Sequence, residues 1–349
     1  ERILSEKLSL LFGNFEVLDV GPFSIKTSLE YVEEELREHS LEKSYKNFLV
    51  DLTGGHPFYL NVICRQLTVA AGKEGQGNIF LNNFINGLEE VLFANWGVLN
   101  QHFYKILNNV CVKKGKTLYP AELLSVAGGH NKLTEIMEDL GCNNKAVSLK
   151  LNQLVESGIL TKNGNLYFFS DKLLAFWLKF VYQKKLNGLE ASSIKLSVDF
   201  KNELKQRISS FIQVSGNEFQ ERITDLLQSF NNELFQLNGR KHRLPAFSAI
   251  RPLSFNGQAA VNLRAVIAES PRDLWAVTFK EGLIIDTDVT AFLAATKELS
   301  NRVTRRVIIS LYEIESNAKL RALQEKMWIW NAKDLNFILN LFGKPYIVK

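Results

Sequence analysis

Residues 272–282 read RDLWAVTFKEG. Leu274, Trp275, Ala276, Val277 and Phe279 make an apolar run that closes on Lys280, and Glu281-Gly282 follows as a turn signal. A short run of this kind, rich in aromatic and β-branched residues, predicts a buried strand rather than a helix. Thr278 stands two places before Lys280, so both side chains belong to one face of that strand.

Patterns of both periods alternate on either side of it. GNEFQERITDLLQSF (216–230) has helical spacing, whereas ELFQLN (233–238), the stretch around LPAFSAI (244–250) and AAVNLRAVIAE (259–269) read as strands. Downstream, DTDVTAFLAATKELS is a helix, RRVIISLY a strand, SNAKLRALQEKM a helix, WIWN a strand and AKDLNFILNLFG a last helix. This order predicts an α/β domain over 215–349, its helices covering a mixed sheet.

The first two hundred residues are different. Residues 1–20 predict a short amphipathic helix and a strand, FEVLDV; GPFS (21–24) is a turn; then helical patterns run to residue 96. Within them TGGHPFYL (53–60) stops one helix with Gly54-Gly55 and starts the next with Pro57, whose missing N–H costs nothing in a first turn. Residues 97–187 predict helices, among them one started by Asn143 and Asn144 and stopped by Gly158. Two short strands joined at Asn163-Gly164 follow. Helix–turn–helix plus hairpin is the pattern of a winged helix. Residues 188–214 read as a helical connector.

With 349 residues the chain has room for two or three domains, and 46% hydrophobic with 23% charged residues is ordinary for a globular protein. A net charge of +5 permits nucleic-acid binding without arguing for it. Cys64, Cys111 and Cys142 form no CxxC pair and the five histidines show no ligand spacing, which weighs against a zinc site or a disulfide framework. No apolar run is long enough to span a bilayer and no signal peptide is evident, so a cytoplasmic protein with no membrane partner is expected. The chain opens on Glu1, and the expectation is a piece of a longer protein.

VGPFSIKTSLEYVEEEL (20–36) followed by GGHP (54–57) resembles the segment leading into the helical lid of archaeal-type STAND/AAA+ P-loop ATPases, and the lid's own GxP motif. The resemblance implies that Pro57 packs near adenine, that Gly55 allows close approach and that His56 is their neighbour. NLYFFSDKLLAFWLKFVYQ (165–183) is similar to the stretch that ends the winged helix of those proteins, with Lys172 and Ala175 in place of the family's Pro and Arg. A phosphate-binding loop is missing. AGKEGQGN (71–78) has Glu74 after Lys73 and no apolar strand before it. The resemblance therefore places the start of the chain after the nucleotide-hydrolysing core, with that core as partner and with ATP and Mg²⁺ as cofactors of the parent protein only.

From residue 215 the element order resembles the PD-(D/E)xK restriction-endonuclease-like fold, in the DUF234 form that ends proteins of the same ATPase group. The resemblance sets Glu218 at the helix carboxylate, Arg264 at the metal-binding Asp, Thr278 at the Glu and Lys280 at the Lys. Mg²⁺ prefers hard oxygen ligands, so a cation and a hydroxyl at those positions predict a degenerate site with no metal and no catalytic residue. Three readings follow. In the first, the region is regulatory, with an inactive nuclease-like domain that binds DNA or a protein partner. In the second, a migrated carboxylate (Glu281, Asp286 or Asp288) restores a metal-dependent nuclease. In the third, the chain is purely a protein-interaction scaffold. Candidate nucleic-acid contacts are Lys145, Ser148 and Asn152 on the recognition-type helix, Lys162 on the wing, and Arg240, Lys241 and Arg243 in GRKHRLPAFSAIR, read as lying between strands.

Overall fold

A computed structural model describes residues 21–73, 77–113, 116–117, 120–142, 144–188, 192–255, 262–297, 299 and 302–348. The FEVLDV strand, Asn143 and residues 74–76 of the rejected phosphate loop lie outside them. The chain is mixed α/β and mostly helical, with one five-stranded mixed sheet.

The first helices are α1 (Ile25–Glu35), α2 (Lys43–Thr53), α3 (Pro57–Lys73) and α4 (Leu81–Leu92), with a two-residue parallel bridge between β1 (Ser40–Leu41) and β2 (Asn78–Ile79). Ser24 caps α1 by accepting from Thr27 N (3.1 Å). Gly54 and Gly55 both have positive φ, 59° and 76°, which turns the chain between α2 and α3 in two residues. A Cβ on Gly55 would meet Phe23 O at 2.5 Å, so the GG turn packs directly on the GPFS segment, and Phe23 N donates to Gly55 O (2.9 Å).

Next come α5 (Val98–Cys111), short strands β3 (Val112–Lys113) and β4 (Lys116–Thr117), α6 (Ala121–Gly128), α7 (Leu133–Leu140) and α8 (Asn144–Glu156). The hairpin β5 (Leu160–Asn163) and β6 (Leu166–Phe169) follows, then α9 (Lys172–Trp177), a π-helical turn (Leu178–Tyr182) and α10 (Gln183–Asn187). The helix–turn–helix and hairpin are present, with the turn one residue later than expected. Asn163 pairs with Leu166, so Gly164 and Asn165 are the loop residues. Gly164 has φ 63°, and glycine at the first of two loop positions suits a two-residue hairpin. Deep in this unit the Trp177 Nε1 donates to Asn100 Oδ1 (2.9 Å), which satisfies two buried polar groups together.

Helix α11 (Ser193–Gly216), expected as a connector, is a packed helix. Phe200, Leu204, Ile208 and Phe211 recur every three or four residues and join the same core as Phe48 of α2, Phe84 of α4 and Trp177. One hydrophobic core thus serves the residues on both sides of the boundary expected at 96/97.

The third part holds α12 (Phe219–Gln228), β7 (Glu233–Leu237), β8 (Arg240–Leu244), β9 (Ala249–Leu253), β10 (Arg264–Glu269) and β11 (Leu274–Lys280). After them come α13 (Asp286–Ala295), β12 (Arg305–Ser310), α14 (Ser316–Gln324), β13 (Trp328–Trp330) and α15 (Ala332–Leu341). The sheet order is β13-β12-β11-β10-β9; β11, β12 and β13 run parallel and β10 antiparallel to both neighbours. Val277, Phe279, Val307 and Ile309 face a core completed by α12 and α15. Ala276, Ala265, Ile267 and Ile308 face a second core completed by α13 and α14. RDLWAVTFKEG is thus a central strand buried on both faces, as its apolar run requires. RKHRL is a strand, not a loop. It pairs with β7 across Asn238-Gly239, both at positive φ, a hairpin turn whose Asn-Gly signal stood in the sequence.

The wing does not project into solvent. Asn165 N donates to Leu234 O (2.9 Å) and Asn165 Oδ1 accepts from Leu234 N (2.9 Å). Asn163 repeats the pairing at Gln236 O (2.8 Å) and N (2.5 Å). Two side-chain amides thereby complete the free edge of β7. Leu166 also lies in the core of the α/β part. A Cβ on Gly164 would stand 1.8 Å from Leu234 O. Gly164→Ala is therefore expected to lower stability by more than about 1 kcal/mol. It should also speed amide exchange at Leu234 and Gln236, whereas unchanged exchange would mean the wing is not docked there.

Candidate functional site

The residues aligned to a nuclease site divide between the two faces of the sheet. Arg264 pairs with Phe279 and Ala265 with Thr278. Partners on adjacent strands share a face, so Arg264 points to the α12 side and Thr278 and Lys280 to the α13 side. The alignment of Arg264 with the Asp position is thus corrected by strand parity: Ala265 shares the face of Thr278.

Each member has a local partner. Arg264 Nη1 donates to Glu218 Oε2 (2.6 Å), at the start of α12. Thr278 Oγ1 donates to Arg264 O (3.0 Å). Lys280 Nζ donates to Asp288 Oδ2 (2.8 Å), and the same oxygen accepts from Ile285 N (3.0 Å) to cap α13. The Asp288 side chain is 3% exposed and the Lys280 side chain 16%, so the pair is largely removed from water. Asp286 is bound to Arg321 Nε (2.8 Å). Two of the three carboxylates that might have migrated into the site are therefore neutralised by cations. A cleft of about 290 Å³ opens beside Lys280 and Glu281, walled by Phe219, Arg264 and Phe279. The described residues contain no group of three His, Cys, Asp or Glu that could hold a metal. Ala265, Thr278 and a lysine engaged by Asp288 do not fit a divalent ion.

At the Gly54-Gly55 turn, His56 stacks on Tyr59 with ring centroids 4.1 Å apart, and its Nδ1 is buried with no hydrogen-bond partner. Pro57 opens α3. The close approach that Gly55 permits is to the Phe23 carbonyl. The Tyr59 hydroxyl donates to Asp171, the N-cap of α9; burial and then the Asp171 charge push its pKa far up. Beside it Lys172 Nζ donates to Asp51 Oδ1 (2.7 Å) and sits 3.8 Å from the Tyr346 ring centroid. The Tyr346 N also donates to Asp51 Oδ1 (2.9 Å), and burial with the Asp51 charge raises the Tyr346 phenol to about 12. Sequence reading passed over this junction. Lys172, where the stretch departs from the pattern it resembles, was its one visible signal.

On α8 the outward face carries Lys145, Ser148 and Asn152, with Leu149 61% exposed between them. Lys150, on the same helix, is drawn to Glu122 (2.8 Å). Lys162 lies 5.1 Å from the Tyr167 ring centroid. Arg240, Lys241 and Arg243 lie on β8, well away from α8, and Arg243 donates to Asn232 Oδ1 (3.0 Å). The candidate nucleic-acid contacts thus come from α8, from the hairpin that docks on β7 and from β8, the partner of β7. Among the described residues no helix is long and apolar enough to cross a membrane.

No family model and no curated protein matches the chain. Among solved structures it is distantly similar to a Walker-type ATPase of Pyrococcus abyssi, with 18% identity over 50% of this chain and 47% of that one and a TM-score of 0.35. It is also distantly similar to the RuvB Holliday junction branch migration motor of Thermotoga maritima, with 12% identity, 46% and 51% coverage and a TM-score of 0.24. A Vibrio cholerae protein matches at 14% identity over 72% of this chain and 56% of that one, with a TM-score of 0.20. The chain spans about half the length of each of these structures.

Two measurements probe these sites. Asp288→Ala should cost about 3 kcal/mol, because it strands Lys280 and uncaps α13, and adding Lys280→Met should recover part of that loss in urea unfolding. Burial lowers the pKa of both His102 and His242 in the folded chain from the ordinary 6.5. The unfolded chain then binds more protons, so stability is full above that range and falls as pH drops through it. The melting temperature should fall between pH 7.5 and 5.5, and less steeply in His102→Gln. A flat profile would contradict the burial of both rings.

Proposed function

We propose that this chain is the C-terminal regulatory and binding region of a P-loop ATPase. In this reading the helices α1–α4 form the lid over nucleotide held by a separate core. The winged helix transmits lid movement, and the α/β domain is a nuclease-like scaffold that grips DNA or a protein partner without cutting. ATP and Mg²⁺ belong to the core and not to these residues.

The observation that carries the reading is the Lys280–Asp288 pair. It leaves the nuclease-like strand end with a neutralised lysine, a Thr at the carboxylate position and an alanine opposite. Metal-assisted hydrolysis requires free carboxylates to hold the ion, and here Asp288 is committed to Lys280 and to Ile285 N and Asp286 to Arg321. Support for binding comes from charge. Arg240 and Lys241 project from β8, and such groups hold phosphates without reading sequence. The docked wing supports transmission, because lid, winged helix and α/β domain meet through Asp51, Lys172, Tyr346 and the Asn163–Gln236 pairing.

The test is titration of the chain with short duplex DNA at low and moderate salt, Mg²⁺ present, with the products run on a gel. Salt-sensitive binding with intact DNA is expected, the affinity falling steeply as salt rises. Cleavage that Lys280→Ala abolishes would overturn the reading. Absence of binding at low salt would leave a protein as the partner and remove DNA.

A further inference from the structure

A second cleft, of about 520 Å³, lies where α2, the end of α6, β6, α9, α11 and the end of α15 meet. Its charged lining residues are Asp51, Lys172, Lys179 and Arg207. Asp51 is already matched, since it accepts from Lys172 (2.7 Å) and from Tyr346 N (2.9 Å). Glu203, one turn before Arg207 on α11, is bound to Lys184. Among the described residues Lys179 and Arg207 form no ion pair, so the cleft keeps two cations after each nearby carboxylate has taken its own lysine.

The walls of the cleft fix where those two charges stand. Lys179 Nζ donates to the carbonyl of Gly128 (3.2 Å), the last residue of α6, and is 5.7 Å from the Phe180 ring centroid. The Arg207 Cζ lies 4.4 Å from the same centroid and 5.7 Å from that of Phe176. Gly128, Phe176 and Phe180 all line the cleft, so both cations sit on its surface and share one ring. Like charges so placed repel, and burial together with the Arg207 charge lowers the Lys179 pKa. A ring under the face of a guanidinium leaves the N–H groups at its edge free, and among the described residues Arg207 has no hydrogen-bond acceptor. Apolar surface continues from the cations, because Ala127, Phe168 and Phe342 also line the cleft and are only partly buried.

Two unmatched cations at one ring call for a ligand with two negative charges, since a single charge leaves one of them uncompensated. A phosphate monoester carries close to two charges at neutral pH, and its oxygens fit the fork of a guanidinium. We propose that this cleft binds a small organic phosphate, its head held between Lys179 and Arg207 and its carbon body along the apolar wall. The size suits such a ligand, since small-molecule sites run to roughly 300–1,000 Å³. The walls come from helices far apart in the chain, so an occupant touches α2, α9, α11 and α15 at once. This site is separate from the Lys280 strand end and from β8, and it does not depend on DNA binding or on an ATPase core.

The test uses the whole chain, titrated by calorimetry with phenyl phosphate, inorganic phosphate and benzoate at constant ionic strength. Phenyl phosphate is expected to bind more tightly than inorganic phosphate, and benzoate more weakly than either. Affinity for phenyl phosphate should fall as pH drops below roughly 6, where a monoester loses its second charge. Lys179→Met with Arg207→Met should weaken binding at least roughly tenfold, as loss of charged hydrogen bonds does. Lys179→Arg should retain it. Neither methionine leaves a carboxylate unpaired, and the melting temperature without ligand checks that each variant folds. The proposal is overturned if phenyl phosphate does not bind, if inorganic phosphate or benzoate binds as tightly, or if the double substitution leaves affinity unchanged.

Discussion

The ammonium of Lys172 holds three parts of the chain to one point. It donates to Asp51 near the end of α2, it begins α9, and it lies against the ring of Tyr346 beyond α15. Asp51 answers both, since the same oxygen accepts from the Tyr346 backbone. A half-buried ion pair is worth little over a hydrophobic pair of equal size, but leaving one member alone is costly. Such an arrangement therefore specifies geometry more than it adds stability. The C-terminal segment is fixed on its other side as well. Arg222 donates to the carbonyls of Pro345 (2.6 Å) and Tyr346 (3.1 Å), and Asn336 brackets Ile347.

From that point the docking of the wing follows. Lys132, at the start of α7, reaches Glu233 Oε1 (2.8 Å), whose side chain is 4% exposed, and the Asn231 carbonyl (2.9 Å). Together with Asn163 and Asn165 it ties α7 and the β5–β6 hairpin along β7. The hairpin in this position has its Asn163 and Asn165 side chains engaged by β7. Helix α8 is different. Its outer face keeps Leu149 in water beside Asn152.

Much of this was readable in order and little of it in detail. Period-2 and period-3.6 patterns placed the α/β sheet, the helix–turn–helix and the hairpin because each rests on local burial. What failed was anything fixed by parity or by distance in sequence. Arg264 and Thr278 look like members of one site until the antiparallel register assigns them to opposite faces; a shift of one residue would have brought them together. The strand RKHRL was hidden because His242 and Leu244 are its only inward residues, and three exposed cations look like a loop. The helix at 193–216 read as a connector because its apolar residues are sparse, yet four aromatic and aliphatic side chains suffice to anchor it in the first core. The junction at Lys172 joins residues more than a hundred places apart, and no local pattern announces such a contact.

The place of Lys280 at the end of β11 can be understood from packing. A lysine at the end of a buried strand must find a counter-charge or take a large desolvation cost. Asp288 supplies it while capping α13, so one carboxylate meets two needs, and the helix start and the strand end are held together. Removing the lysine would leave Asp288 buried and half-satisfied, and removing the aspartate would leave the lysine so. Each residue therefore makes the other costly to lose. Thr278 fits the same logic. Its hydroxyl is 2% exposed in the residue as a whole and donates to the neighbouring strand's carbonyl, which a carboxylate there could not do. The strand end is stable as a piece of structure, with Thr278, Lys280 and Asp288 each paired within it.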